Sequence, residues 1–160
     1  MNNSRGPSGP FFMLCIFLLA LMGTQVIAQT TTELEIAAAI HRESNEVRTS
    51  KKRSELVRNS TADSLAYAHA LNMAKGKVRI GHKGFEQRGD YLLKLGAEAV
   101  YENVWYGWNV EPISCLNDWL KSSNHRKNLL QRDVNQTGLG VAINQKKEVF
   151  VCVLYLLAND

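Results

Sequence analysis

The segment EVFVCVLYLL, from Glu148 to Leu157, is apolar on both of its faces: Val149, Val151, Val153 and Tyr155 alternate with Phe150, Cys152, Leu154 and Leu156. Side chains of a strand point alternately to the two sides of a sheet, so a strand of this kind must be covered on both. Helices are therefore required on both sides. The expected fold class is α+β, a three-layer α–β–α sandwich around a mainly antiparallel sheet. GLGVAIN, from Gly138 to Asn144, reads as a second strand, joined to the last one by the polar turn QKK as a hairpin.

The helices are marked by caps and spacing. Thr32 to Glu35 has the capping-box pattern T-x-x-E, and Ile36, Ile40 and Val47 follow at helical intervals, so a first helix is expected to about Arg48. The polar stretch TSKKRSE breaks it. Ser60 or Thr61 with Asp63 opens a second helix, LAYAHALNMAKG, closed by Gly76; a short third one spans about Glu86 to Leu95 and ends at Gly96. EAVYENVWYGW then reads as extended chain. Pro112 fits a first helical turn, and Ile113, Leu116, Trp119 and Leu120 form an apolar stripe that runs out near SSNHR.

The first residues are of another kind. Phe11 to Gly23 is continuously apolar, Arg5 is the only charge ahead of it, and Val26 and Ala28 sit at the small-residue positions of a cleavage site. The run is shorter than the roughly 20 residues that span a bilayer and has no basic stop-transfer flank. Residues 1–28 are expected to be a signal peptide and 29–160 a single secreted domain, at the cell surface or in the periplasm if the source is bacterial, with no stable membrane span after cleavage.

Composition narrows the partners. The chain holds 19 Lys and Arg against 15 Asp and Glu, a mildly basic balance whose one cluster, Lys51 to Arg53, reads as a solvated turn. Nucleic acid is not implied. Cys15 belongs to the leader, leaving Cys115 and Cys152 as either a disulfide or two buried thiols. The Cys115 helix must cover one face of the final strand, so the pair is expected within bridging distance. Asn59 and Asn135 stand in N-x-[ST] sequons, which matter only if a eukaryote secretes the chain.

Four histidines are present. His41 and His69 fall within helices, where packing or solvation accounts for them. His82 and His125 stand in polar segments at element ends, with Glu102 between them in sequence. Two imidazoles and a carboxylate are a candidate ligand set for Zn²⁺, although the spacing matches no local metal motif. A nucleophilic reading would use Ser122 or Ser123 with His125 and Glu102, but no G-x-S-x-G elbow is present. Trp105, Tyr106 and Trp108 could line a groove for an apolar or carbohydrate ligand.

Taken in order, these segments resemble the CAP superfamily, the cysteine-rich secretory proteins, venom antigens and plant pathogenesis-related proteins. SNEVR is similar to the family's Asn-Glu-x-Arg opening and LAYAHALNMA to its Ala-rich helix. GHKGFEQR carries His82 and Arg88, ENV carries Glu102 and Asn103, WLKSSNHRKNLL resembles the W-x-x-S-x-x-H-R-x-N-I-L signature of short bacterial-type members, and GLGVA resembles the penultimate strand. The resemblance spans roughly Ile36 to Leu157. It implies a stacked α–β–α fold with a cleft of two histidines and two acidic residues that sometimes holds a divalent metal; here the cleft residues would be His82, Glu102, Asn103, His125 and Arg88. Ser122 stands where longer members carry the second Glu, and their His-Tyr-Thr-Gln motif, extra disulfides and Cys-rich appended domain are missing. The resemblance implies an extracellular binding module for a lipid, sterol, glycan or protein. A metal-assisted or serine-type hydrolase using His82, Glu102, His125 and Ser122 is the alternative.

Overall fold

The structure, a computed structural model, describes residues 30–108 and 112–158. The leader, Cys15 and the expected cleavage point lie outside them. The elements in chain order are α1 (Thr31–Ser50), β1 (Val57–Arg58), α2 (Ser60–Ala74), α3 (Phe85–Lys94), β2 (Ala97–Trp108), α4 (Pro112–Lys121), α5 (Ser123–Leu129), β3 (Gln136–Ile143) and β4 (Glu148–Ala158). The sheet order is β1-β3-β4-β2, with β2–β4 and β3–β4 antiparallel and the short β1 parallel to β3. The sandwich expected from the two-faced β4 is the one observed.

The alternation along β4 sorts the core into two clusters. Val149, Val151, Val153 and Tyr155 meet Ile36 and Ile40 of α1, Cys115, Leu116 and Trp119 of α4, and Leu129 of α5. Phe150, Cys152, Leu154 and Leu156 meet Ala62, Ala66, Ala70 and Met73 of α2 and Leu92 of α3. On this second face the helix sits almost on the strand. A Cβ on Gly138 would lie 2.2 Å from the Ala62 backbone, and one on Gly140 would lie 2.1 Å from the Tyr67 backbone nitrogen. The GLG sequence of β3 and the Ala-rich face of α2 are two halves of one close approach.

Three expectations are corrected and one strand is added. The capping box of α1 is Thr30/Glu33, not Thr32/Glu35. The threonine tract offers both phases, and tertiary contact selects one: Glu33 Oε2 accepts from the Thr30 N–H at 2.7 Å, while its Oε1 accepts from the Ile143 N–H at the end of β3, also at 2.7 Å. SSNHR does not end the helical region, because the chain kinks at Ser122 and restarts as α5. β1 is too short to show a period, and it exists because its backbone pairs with β3. Cys115 and Cys152 are buried thiols that no disulfide joins. They belong to the two opposite core clusters, since β4 points Cys152 away from the face that α4 covers.

The SNEVR segment is architectural. Asn45 accepts from the Leu56 N–H at 2.9 Å and donates to the Leu56 carbonyl at 3.1 Å. Arg48, fully buried, donates to the carbonyls of Ser54, Leu129, Gln131 and Val134 at 2.8 to 3.2 Å. Burial lowers its pKa, and the carbonyl dipoles compensate the charge without a carboxylate. These bonds fasten the end of α1 to the turn between α5 and β3. The sequon asparagines are also employed: Asn59 caps α2 and donates to Gln136 at 2.7 Å, and Asn135 holds both the N–H and the carbonyl of Ala158.

Candidate functional site

The site forms around β2, the edge strand at which the two helical layers meet. Three devices fix it. Trp119 of α4 donates its indole N–H to the Val104 carbonyl at 3.2 Å, and Asn128 of α5 donates to the Glu102 carbonyl at 3.1 Å. Both carbonyls are satisfied by helix side chains rather than by another strand, which protects them from edge pairing. Asn103, fully buried, donates to the His125 carbonyl at 3.0 Å and accepts from Asn128 at 3.0 Å. Trp119, His125 and Asn128 of the WLKSSNHRKNLL segment are thereby held against consecutive residues of β2.

On the α2/α3 side, Glu102 is held in a buried polar nest. Arg88 of α3 grips one carboxylate oxygen with Nε at 3.0 Å and Nη2 at 2.5 Å. The other oxygen accepts from His82 Nδ1 at 2.9 Å. A carboxylate can only accept, so His82 carries its proton on Nδ1, and its ring is half exposed. Beneath them the Cys152 thiol approaches Glu102 Oε2 at 3.5 Å. Burial alone would push the Glu102 carboxyl up, but the His82 and Arg88 hydrogen bonds and the guanidinium charge outweigh it and hold its pKa below the usual value. Burial, followed by the negative charge on Glu102, pushes the Cys152 thiol well up, so it stays protonated.

His82 is presented by the loop from Lys75 to Gly84. Gly84 sits in the left-handed region at φ 78°, where a residue with a Cβ would be strained, and α3 begins immediately after it. From below, buried His69 of α2 donates Nε2–H to the Gly81 carbonyl at 2.7 Å. Burial depresses the His69 pKa, with the Gly81 bond opposing, which keeps the ring neutral. A histidine that reads in sequence as packing is thus the pin of the loop that carries His82. No local signal marks it, because its partner is a backbone carbonyl of a neighbouring loop.

His125 reaches the same place from α5, with its ring centroid 6.5 Å from that of His82. Burial, and secondarily the nearby His82, lower its pKa. His82, Arg88, Glu102, Asn103 and His125 are therefore brought together, although they come from a loop and three elements. Ser122 lies at the kink before α5; its side chain makes no capping bond, and no hydrogen bond among the described residues joins it to an imidazole. His41 stands apart, donating to the Leu56 carbonyl at 2.8 Å.

Glu102 does not fit as a zinc ligand in this arrangement. Both of its oxygens are taken by Arg88 and His82, and a guanidinium beside the site opposes a second cation. Among the described residues, no three His, Cys, Asp or Glu side chains are grouped so as to hold a metal ion. The arrangement instead holds a permanent carboxylate that fixes one imidazole, with a second imidazole alongside. No helix among the described residues is long and apolar enough to cross a membrane.

Comparisons with known proteins agree with this architecture. The fold is similar to that of an outer surface protein from Borrelia burgdorferi, with a TM-score of 0.69 and 19% identity over 78% of this chain and 94% of that one. It is similar also to a cysteine-rich secretory protein from Staphylococcus aureus (TM-score 0.65, 19% identity, 81% of this chain and 41% of that one). An extracellular SCP-domain protein from Bacillus anthracis gives a TM-score of 0.62 at 22% identity, over 81% of this chain and 44% of that one. The chain thus spans less than half the length of the last two. No match emerges among curated protein sequences. The profile of the cysteine-rich secretory protein family, CAP, matches residues 41–155, and the chain belongs to that family.

Proposed function

We propose that the chain is a secreted CAP-domain binding module, made with a signal peptide over residues 1–28 and acting outside the cell as residues 29–160, and that it engages a lipid, sterol, glycan or protein ligand through His82 and His125, with buried Asn103 positioning the His125 backbone. The carrying observation is the state of Glu102. Its carboxylate is buried, ionised and saturated by Arg88 and His82, so it orients His82 rather than exchanging protons or holding metal. The half-exposed ring of His82 and the ring of His125 remain as a pair of polar groups for recognition. Outer-surface and extracellular proteins among the structural relatives support the location.

A hydrolase reading draws on one specific feature, a carboxylate-oriented imidazole, which is what a general base requires. Among the described residues no nucleophile is hydrogen-bonded to that base. The deciding experiment exposes the secreted protein and its His82→Ala and His125→Ala variants to immobilised glycans, lipids and extracellular proteins, alongside ester and peptide substrates. A ligand retained by the wild type and released by both variants supports the binding module. Substrate turnover abolished by Ser122→Ala would replace it with the hydrolase.

A further inference from the structure

The aromatic run of β2 that the His/Glu site does not use builds a second site at the other end of the strand. Tyr106 lies directly opposite Phe150, and Trp108 directly opposite Glu148. Cross-strand partners share a face, so three aromatic rings and one carboxylate gather on the α2 side of the sheet, just past the C-terminal end of α2. The Tyr106 and Phe150 rings are 5.1 Å apart, and the Tyr106 hydroxyl donates to Glu148 Oε1 at 2.8 Å. Asn144 donates to the other oxygen of Glu148. These hydrogen bonds, that of Asn144 first, hold the Glu148 pKa below the usual value, so the carboxylate is ionised and fixed in direction.

Beside this cluster lies a cavity of about 510 Å³ whose apolar walls include Met73, Val78, Ile80 and Phe150, and whose polar lining is Tyr106, Asn144, Glu148 and Arg79. Arg79 takes part in no ion pair among the described residues. Trp108 is 59% exposed, a large aromatic surface at the strand end that the core does not claim. An ionised carboxylate bordered by aromatic rings is the arrangement that attracts an alkylammonium group, through charge and through the ring quadrupoles. Arg79 in the same lining disfavours a bare cation and favours a ligand that also carries an anionic group.

We propose that this cavity binds a zwitterion of the phosphocholine type, its ammonium against Glu148, Tyr106 and Trp108 and its phosphate toward Arg79. The same chemistry is offered by a free phosphocholine ester and by a phosphatidylcholine headgroup.

The test follows the Trp108 indole N–H resonance of the secreted protein during titration with phosphocholine, choline and 3,3-dimethylbutan-1-ol, the uncharged isostere of choline. Phosphocholine should give a saturable shift, with choline weaker and the alcohol weakest. Glu148→Gln, whose amide oxygen can accept from Asn144 while its NH2 donates to the Tyr106 hydroxyl, and Trp108→Ala at an exposed position should each weaken phosphocholine on the order of ten-fold without changing the melting temperature. Arg79→Gln should weaken phosphocholine and strengthen choline. Co-sedimentation with phosphatidylcholine vesicles, but not with phosphatidylglycerol vesicles, identifies the headgroup as the source; binding of free phosphocholine alone identifies the soluble ester. No saturable shift, equal affinity for the uncharged alcohol, or unchanged affinity in Glu148→Gln overturns the proposal.

Discussion

The two faces of the sheet achieve burial with opposite kinds of side chain. Toward α1, α4 and α5 the core is bulky, with Trp119, Ile40, Leu129, Leu139 and Tyr155 filling the space between layers. Toward α2 it is small, and Ala62 and Ala66 approach Gly138 and Gly140 until backbones nearly touch. The bulky face gains stability from volume and tolerates repacking. The small face fixes a distance, and thereby sets the height of α2, of His69 on it, and of the loop that His69 pins. Glu102 points to this second side, so the site inherits its precision from the face with the smaller side chains.

The largest effect should come from the bulky face. Trp119→Ala is expected to cost about 4 kcal/mol, from the emptied volume together with the lost bond to the Val104 carbonyl, measured by urea denaturation. Next, Arg88→Ala should cost about 3 kcal/mol, because it leaves a buried carboxylate with one partner fewer; Arg88→Lys, unable to grip bidentately, should recover only part of it. On the small face, Gly140→Ala should cost roughly 2 to 3 kcal/mol, since the obstructing atoms are backbone and cannot rotate away. A neutral Gly140→Ala would mean that α2 can lift, and the comparison of faces would fail.

Acid probes the small face more gently. His69 has a depressed pKa in the folded protein, so its contribution is complete above the unfolded imidazole pKa of about 6.5 and is lost as pH falls and the ring is forced to accept a proton. Glu102 is also depressed, and its contribution disappears at lower pH, below the unfolded value of about 4.3. Melting temperatures should therefore fall in two stages on acidification. A His69→Gln variant should lose the first stage and Arg88→Ala should weaken the second. The smallest effect concerns the thiols: Cys115 and Cys152 should resist an aromatic disulfide reagent until the protein is unfolded, and reductant should leave the melting temperature unchanged. Burial pushes the Cys115 pKa up to about 12, which removes the reactive thiolate.

What the sequence by itself determined is whatever is written in local periodicity. The two-sided apolar run of β4, the β3–β4 hairpin, the helical stripes and the ordered set SNEVR, GHKGFEQR, ENV and WLKSSNHRKNLL are patterns that neighbouring residues create, and they were enough for the layer order, the family and the identities of His82, Arg88, Glu102 and His125. Tertiary structure alone decided the matters in which distant residues compete. It chose Thr30/Glu33 over Thr32/Glu35 through the Ile143 N–H, and placed Cys115 and Cys152 on opposite faces although both are apolar neighbours of one strand. It gave the Glu102 carboxylate to Arg88 and His82, and it made His69 the support of a loop rather than a core filler. The reason is common to all four: hydrogen bonds and charges in a buried site go to whichever partner the packed layers bring within about 3 Å, and a separation of 12 to 110 residues along the chain leaves no trace of that partner in local spacing.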